Sequence, residues 1–137
     1  MSTPKLQAIL AAELTAADQF HRHATMLAAE GYHELAARLH IRSAEAAAYA
    51  ETLAGQGINA AADEPRIGRG VKSMLENDLA LEQDLVPQLT AAIRAEKSEL
   101  LEKILLAEER HLDWLEAQLH LIAEIGAEDY CASQRLV

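Results

Sequence analysis

Residues 101–122 read LEKILLAEERHLDWLEAQLHLI, and this stretch decides the fold. Its apolar residues recur at alternating steps of three and four, so they share one face of a helix. The stripe consists of Leu101, Leu105, Glu108, Leu112, Leu115, Leu119 and Ile122. His111 follows three residues after Glu108 and lies on the same side of the helix. The stretch therefore predicts a core-facing helix that carries a Glu and a His into the interior.

Two other predicted helices also place a carboxylate inside an apolar stripe. The first stripe consists of Leu6, Leu10, Glu13, Ala17, Phe20, Ala24 and Leu27, and the third of Leu75, Leu79, Glu82, Val86, Leu89 and Ile93. Because an unpaired buried carboxylate is strongly destabilising, we expect Glu13, Glu82 and Glu108 to share a partner, most simply a metal ion. The alternative is a buried polar network in which Glu82, Glu108 and His111 are hydrogen-bonded and one carboxyl is protonated.

Composition limits the class of protein. The chain has 137 residues, half of them hydrophobic and only 4% aromatic, which suits one helical domain over residues 1–137. A net charge of −10 without a basic patch argues against nucleic acid as a partner. No apolar stretch is long enough for a membrane span, and residues 1–4 lack the features of a signal peptide. With the single cysteine, Cys131, these features predict a cytoplasmic protein without an intrachain disulfide.

Glycine and proline divide the chain into four helices and one long connection. The predicted helices cover residues 3–30, about 34–54, about 69–94 and about 97–124, with a short final segment at 127–133. Residues 56–70 form the long connection. Two short turns around one long connection are typical of the ferritin-like topology. We therefore predict an all-α, ferritin-like four-helix bundle with a long crossover between helices 2 and 3 and a short C-terminal helix.

The inward carboxylates match part of a di-iron site. In di-iron bundles two helices each give one Glu, and the other two each give Glu-x-x-His. Here the second helix breaks the pattern, because its stripe reads Leu35, Leu39, Arg42, Ala46, Tyr49 and Leu53. Ala46 and Tyr49 stand where Glu and His are expected. Oxygen and nitrogen ligands suit iron, manganese or zinc, so the residues alone do not identify the metal.

The remaining histidines fit the site less well. His21 and His23 lie off the stripe of the first helix, and we expect both to be solvated. His120 follows four residues after Glu116 and predicts a surface pair.

Several segments of the chain resemble bacterioferritins. The most similar are residues 73–82 (SMLENDLALE), 104–116 (ILLAEERHLDWLE) and 125–130 (IGAEDY), whereas the second helix is the poorest match. The resemblance implies a bundle that dimerises, builds a hollow shell, oxidises Fe(II) at a di-iron centre and stores ferric mineral. It also implies roles for individual residues. Glu13, Glu82, Glu108 and His111 match di-iron ligands, Ala46 and Tyr49 occupy the two other ligand positions, and Ala47 occupies that of the haem-ligating Met.

These matches predict a reduced iron site and no haem held through position 47. The site would hold one or two iron ions through Glu13, Glu82, Glu108, His111 and Tyr49, since a phenolate can ligate Fe(III). Relative to the bacterioferritins that the chain resembles, about seven residues, two turns of helix, are missing after Tyr49, and about seven more between Glu82 and Glu108. The resemblance implies that both deletions trim the end of the bundle that builds the three-fold channels of the shell. We therefore expect a homodimer formed along the first two helices. The sequence does not decide whether these dimers build a larger shell.

Three functions follow from this reading. The first is a bacterioferritin-like iron-binding protein of iron storage or homeostasis with slow or absent ferroxidase activity. The alternative is a non-catalytic ferritin-like subunit that is structural or co-assembles with an active relative. A third is an electron-transfer or oxidase bundle that uses another metal.

Overall fold

The computed structural model describes residues 3–135, and these residues form five helices and no strand. The helices are α1 (Thr3–Ala29), α2 (His33–Gly55), α3 (Val71–Ala95), α4 (Glu99–Ile125) and α5 (Ala127–Arg135). The predicted all-α class is confirmed, and the predicted ends agree to within about two residues, the usual uncertainty of helix ends. The expectation about a signal peptide rests partly on Met1 and Ser2, which lie outside the described residues. None of these helices has an apolar stretch long enough to cross a membrane.

The helices form two hairpins joined by the crossover. α1 packs along α2, α3 packs along α4, and α1 also contacts α3. Gly31 after α1 and Gly126 after α4 each have φ of +89°, a conformation that favours glycine where a helix ends in a sharp turn. The Ser98 hydroxyl accepts a hydrogen bond from the Leu101 amide and so caps the start of α4. Gly31 and Gly126 therefore end α1 and α4, and Ser98 begins α4.

The apolar core is divided into two large clusters at opposite ends of the bundle. One contains Leu27, Leu35, Leu39, Leu75, Leu115 and Tyr130, and the other contains Ile9, Leu10, Leu53, Leu85, Leu89 and Ile104. Between them, Phe20 packs with Ala16 and Ala46 in a small third cluster. Along every long helix the inward polar residues fall between the two large clusters. The middle of the bundle is therefore where a polar site lies.

A row of polar side chains on α1 binds the crossover. The hydrogen bonds join Thr15 Oγ1 to Asp63 N at 2.9 Å, Gln19 Oε1 to Arg66 N at 3.0 Å and His23 Nε2 to Gly68 N at 2.9 Å. In each case the side chain accepts and the backbone amide donates. We call Thr15, Gln19, His23 and their partner Asp78 the crossover clasp. Its residues satisfy the backbone of a connection that has no regular structure of its own.

The prediction that His23 is solvated is wrong, because its side chain is fully buried in the crossover clasp. Its Nε2 accepts from Gly68, so its Nδ1 carries the proton and donates to Asp78 Oδ1 at 2.8 Å. Gln19 donates to the same oxygen at 2.8 Å. A Cβ atom at Gly68 would overlap the backbone of α3, which explains a glycine there. His21 is exposed, as predicted. His120 is exposed too, but the predicted partner Glu116 is wrong, because its Nε2 lies 2.9 Å from Glu124 Oε1.

Candidate metal centre

Three carboxylates from three helices lie in the middle of the bundle. Glu13 of α1, Glu82 of α3 and Glu108 of α4 all have fully buried side chains. His111, one turn after Glu108, is 3% exposed. The sequence prediction that these four residues face the interior is confirmed. With Arg42 of α2 they form what we call the carboxylate centre.

Arg42 brings a positive charge into this group of carboxylates. Its side chain is 6% exposed, and its Nη2 donates to Glu108 Oε1 at 2.9 Å. The same nitrogen lies 3.6 Å from Glu82 Oε1, and Nη1 donates to Glu45 Oε1 at 3.1 Å. Burial alone would lower the pKa of Arg42, but the charge of Glu108 and the bonds to Glu45 and Glu108 raise it. The guanidinium is therefore a permanent counter-ion at the centre of the bundle.

His111 is held neutral beside this cation. Burial first, then the charges of Arg42 and Arg38, lower its pKa to about 2. Its ring stacks on Trp114, with centroids 5.8 Å apart, and meets the Phe20 ring edge-on at 5.1 Å. Within residues 3–135 no group hydrogen-bonds its buried Nε2. A neutral imidazole with a free ring nitrogen is the form that binds metal.

The surroundings of Glu13 favour its protonated form. Burial raises its pKa well above the usual value, and the charge of the nearby Glu108 raises it further. The Arg42 charge opposes this shift without reversing it. Arg42 therefore pairs with Glu108, whereas Glu13 has no cation as a direct partner.

Many polar atoms of the centre have no partner within the described protein. They are both oxygens of Glu13 and of Glu82, Oε2 of Glu108, Nε of Arg42 and Nε2 of His111. Buried oxygen and nitrogen atoms without partners are what a metal-ligand set leaves when it is viewed without its ion. The chemistry of the donors therefore fits a cation, and the place of that cation is partly taken by the Arg42 guanidinium.

The geometry fits two metal ions poorly. Among residues 3–135 no three His, Cys, Asp or Glu side chains converge closely enough to hold an ion. Ala46 is fully buried against Ala16 and Phe20 and offers no donor. Tyr49 is half-buried, and burial, followed by the charge of Glu45, raises its pKa, so its phenol keeps its proton. Position 47 is an exposed alanine.

Comparison with known proteins matches this architecture and the sequence around the centre. A family model described as Ferritin-like domain matches residues 4–125. The chain belongs to the ferritin-like family. It is 34% identical to the bacterioferritin of Mycobacterium leprae (strain TN), over 90% of this chain and 86% of that protein. It is 32% identical to the bacterial ferritin of Synechocystis sp. (strain ATCC 27184 / PCC 6803 / Kazusa), over 95% of this chain and 93% of that protein.

The resemblance to bacterioferritins is therefore confirmed at the level of family and fold. The member of the carboxylate centre that sequence reasoning did not single out is Arg42. The signal was present, since Arg42 is the one charged residue in the apolar stripe of the second helix. A charge at a core-facing position of α2 is the natural partner for opposite charges at core-facing positions of α1, α3 and α4.

Proposed function

We propose that this ferritin-like protein is a non-catalytic member of an iron-storage system, in which Arg42 replaces metal as the counter-ion of the carboxylate centre. The observation that carries the proposal is the buried bond from Arg42 Nη2 to Glu108 Oε1 at 2.9 Å. Its relatives named bacterioferritin and bacterial ferritin support the link to iron storage. The protein would act as a structural subunit, in a homodimer along α1 and α2 or together with an active relative.

A fixed guanidinium disfavours ferroxidase chemistry in two ways. Its charge repels a ferrous ion that approaches the same carboxylates, and this repulsion is strong because the centre is excluded from water. Its Nη2 also occupies an oxygen of Glu108, the residue that resembles a bridging ligand. Paired oxidation needs two adjacent irons, and Ala46 supplies no ligand for the second. We therefore expect slow or absent oxidation of Fe(II).

The unpartnered oxygens favour a second candidate function, a site for a single iron ion. Glu13, Glu82, Glu108 and His111 would supply its ligands, with Tyr49 at its edge, and their side chains would have to move closer together than they are among the described residues. Arg42 already donates to Glu45, whose side chain is 44% exposed, so the guanidinium has a partner nearer to solvent if it leaves Glu108. An ion of charge two would then replace one arginine and one proton on Glu13. Such a protein would bind iron for storage or homeostasis without rapid oxidation.

Anaerobic titration with Fe(II), followed by air, separates these functions. The metal-free protein is compared with a variant in which Arg42→Leu, Ala46→Glu and Tyr49→His restore the ligand pattern that the resemblance implies. We expect no saturable binding by the parent and binding with oxidation by the variant. Two ions per parent chain, followed by rapid oxidation, would overturn the proposal.

Binding of one ion without rapid oxidation by the parent would select the second candidate. Tyr49→Phe then tests the phenol directly, because a ligating tyrosine gives the Fe(III) form a visible phenolate band that the variant lacks. Glu109→Gln is a matched control for changes near the centre, since Glu109 is exposed and follows Glu108 directly.

A further inference from the structure

A cavity of 260 Å³ opens between α2 and α4, directly outside the carboxylate centre. It is lined by Arg38, Ile41, Arg42, Glu45, Ala107, Arg110 and His111. Three of these side chains are positive, and only one is negative. The chain as a whole has a net charge of −10. The side chains that line the cavity therefore have the opposite sign of charge from the protein as a whole.

We propose that this cavity binds a small oxyanion of the phosphate class through Arg38, Arg42 and Arg110. Three guanidinium groups that face one small volume repel one another, and a bound anion relieves that repulsion. Guanidinium groups also match oxyanions geometrically, because their parallel N–H groups reach two oxygens at once. A tetrahedral anion offers enough oxygens for all three.

The surroundings of each arginine support this assignment. Arg42 is anchored from inside the bundle by Glu108, so its position at the base of the cavity is fixed. Arg38 and Arg110 form no ion pair with a carboxylate in the described part of the chain, and both are exposed. Two arginines therefore remain available above a third that is held in place.

The ligand is a small anion rather than a nucleotide. The one aromatic ring of its lining is that of His111, which stacks on Trp114 with centroids 5.8 Å apart. Trp114 in turn lies 4.5 Å from the Arg38 guanidinium. The lining therefore offers guanidinium groups for an anion and no second aromatic ring to sandwich a base. Inorganic phosphate is accordingly the probe of choice. This inference does not rest on the proposed function, because it uses only the side chains that line the cavity.

Trp114 gives a built-in readout, because it is the only tryptophan of the chain and touches Arg38. Phosphate is titrated into the full-length protein at constant ionic strength while Trp114 fluorescence is recorded, and calorimetry supplies the stoichiometry. We expect saturation at one phosphate per chain. Chloride at the same ionic strength should cause no saturable change. An equal response to chloride, or no saturation at millimolar phosphate, would overturn the proposal.

Two variants with opposite expected effects sharpen the test. Arg110→Gln should weaken phosphate binding by about tenfold or more, since it removes a hydrogen bond between charged groups. Arg94→Gln is the matched control, because Arg94 is exposed on α3 away from the cavity, and it should leave binding unchanged. Glu45→Gln removes the one negative charge of the lining and should tighten binding. Equal weakening by both arginine variants would refute a specific site.

Discussion

The crossover clasp and the carboxylate centre are both buried and polar, and both include residues of α1, yet they differ in how completely they are satisfied. In the clasp, Gln19 and His23 are bonded at both ends, and only Asp78 Oδ2 lacks a partner. In the centre, seven buried atoms lack one within the described protein. Folding alone explains a network whose groups are paired, whereas a network with many unpaired groups points to a role beyond stability.

The two networks also use charge differently. In the clasp, burial raises the pKa of Asp78, while hydrogen bonds from His23 and Gln19 partly offset that shift. In the centre, Arg42 is the single cation beside two carboxylates, Glu82 and Glu108, and the pKa of Glu13 is raised by burial and by the charge of Glu108. Stability in the centre therefore depends on one side chain, and in the clasp it is shared among several. This difference can be tested by removing one residue from each.

Arg42→Leu should have the largest effect on stability. Without the guanidinium, Glu82 and Glu108 remain buried without a counter-ion, and breaking a buried pair in this way costs about 3–5 kcal/mol. The measurement is urea unfolding of the metal-free protein at neutral pH. Arg94→Leu is the control and should stay within about 0.5 kcal/mol of the parent. A loss below about 1 kcal/mol for Arg42→Leu would mean that the carboxylates are neutral and do not need the arginine.

His23→Ala should have the next largest effect. It leaves the Gly68 amide without an acceptor and removes one of two donors to Asp78, for a loss of about 2–3 kcal/mol. His21→Ala, two residues earlier on the exposed face of α1, should change stability by less than about 0.5 kcal/mol. Hydrogen exchange of the Gly68 amide adds a local readout, and His23→Ala should accelerate it. Equal losses from both variants would show that the clasp contributes nothing specific.

The sequence predicted most of the fold because helix periodicity is a local property. The stripes around Glu13, Glu82 and Glu108 identified the inward faces, and glycines such as Gly31 and Gly126 marked the ends of helices. Periodicity gives the face of a residue but not its neighbour across the bundle. The pairing of Arg42 with Glu108 therefore remained hidden, although both lie in stripes.

The sequence did not predict the crossover clasp, and the reason is different. Thr15, Gln19 and His23 follow one another at steps of four, so they form a polar row on α1 that the sequence does contain. What they bind is the backbone of residues 63–68, which has no periodic pattern and hence no signal in the sequence. A polar row beside an apolar stripe predicts a partner, but the irregular crossover did not indicate which one.

Glu13→Gln should change the free energy of unfolding least of the three variants. It should stabilise the protein, whereas the other two substitutions destabilise it. The pKa of Glu13 is raised in the folded protein, so between its ordinary value of 4.5 and the raised value the native state holds a proton that the unfolded state has released. Stability therefore falls as pH rises through that window. Glutamine imitates the protonated carboxyl and removes this loss. The variant should gain stability over the parent as pH rises through that window and keep the gain above it.

Thermal unfolding of parent and variant from pH 4.5 to 8.5 measures this gain. His111, with its lowered pKa, adds a loss of stability as pH falls below about 6.5, but that loss is common to both proteins and cancels in the difference. Glu109→Gln, on the exposed face beside Glu108, should show no dependence on pH relative to the parent. If Glu13→Gln instead lost stability equally at all these pH values, Glu13 would be ionised and paired in the fold. The centre would then resemble the clasp, with each of its groups satisfied by another.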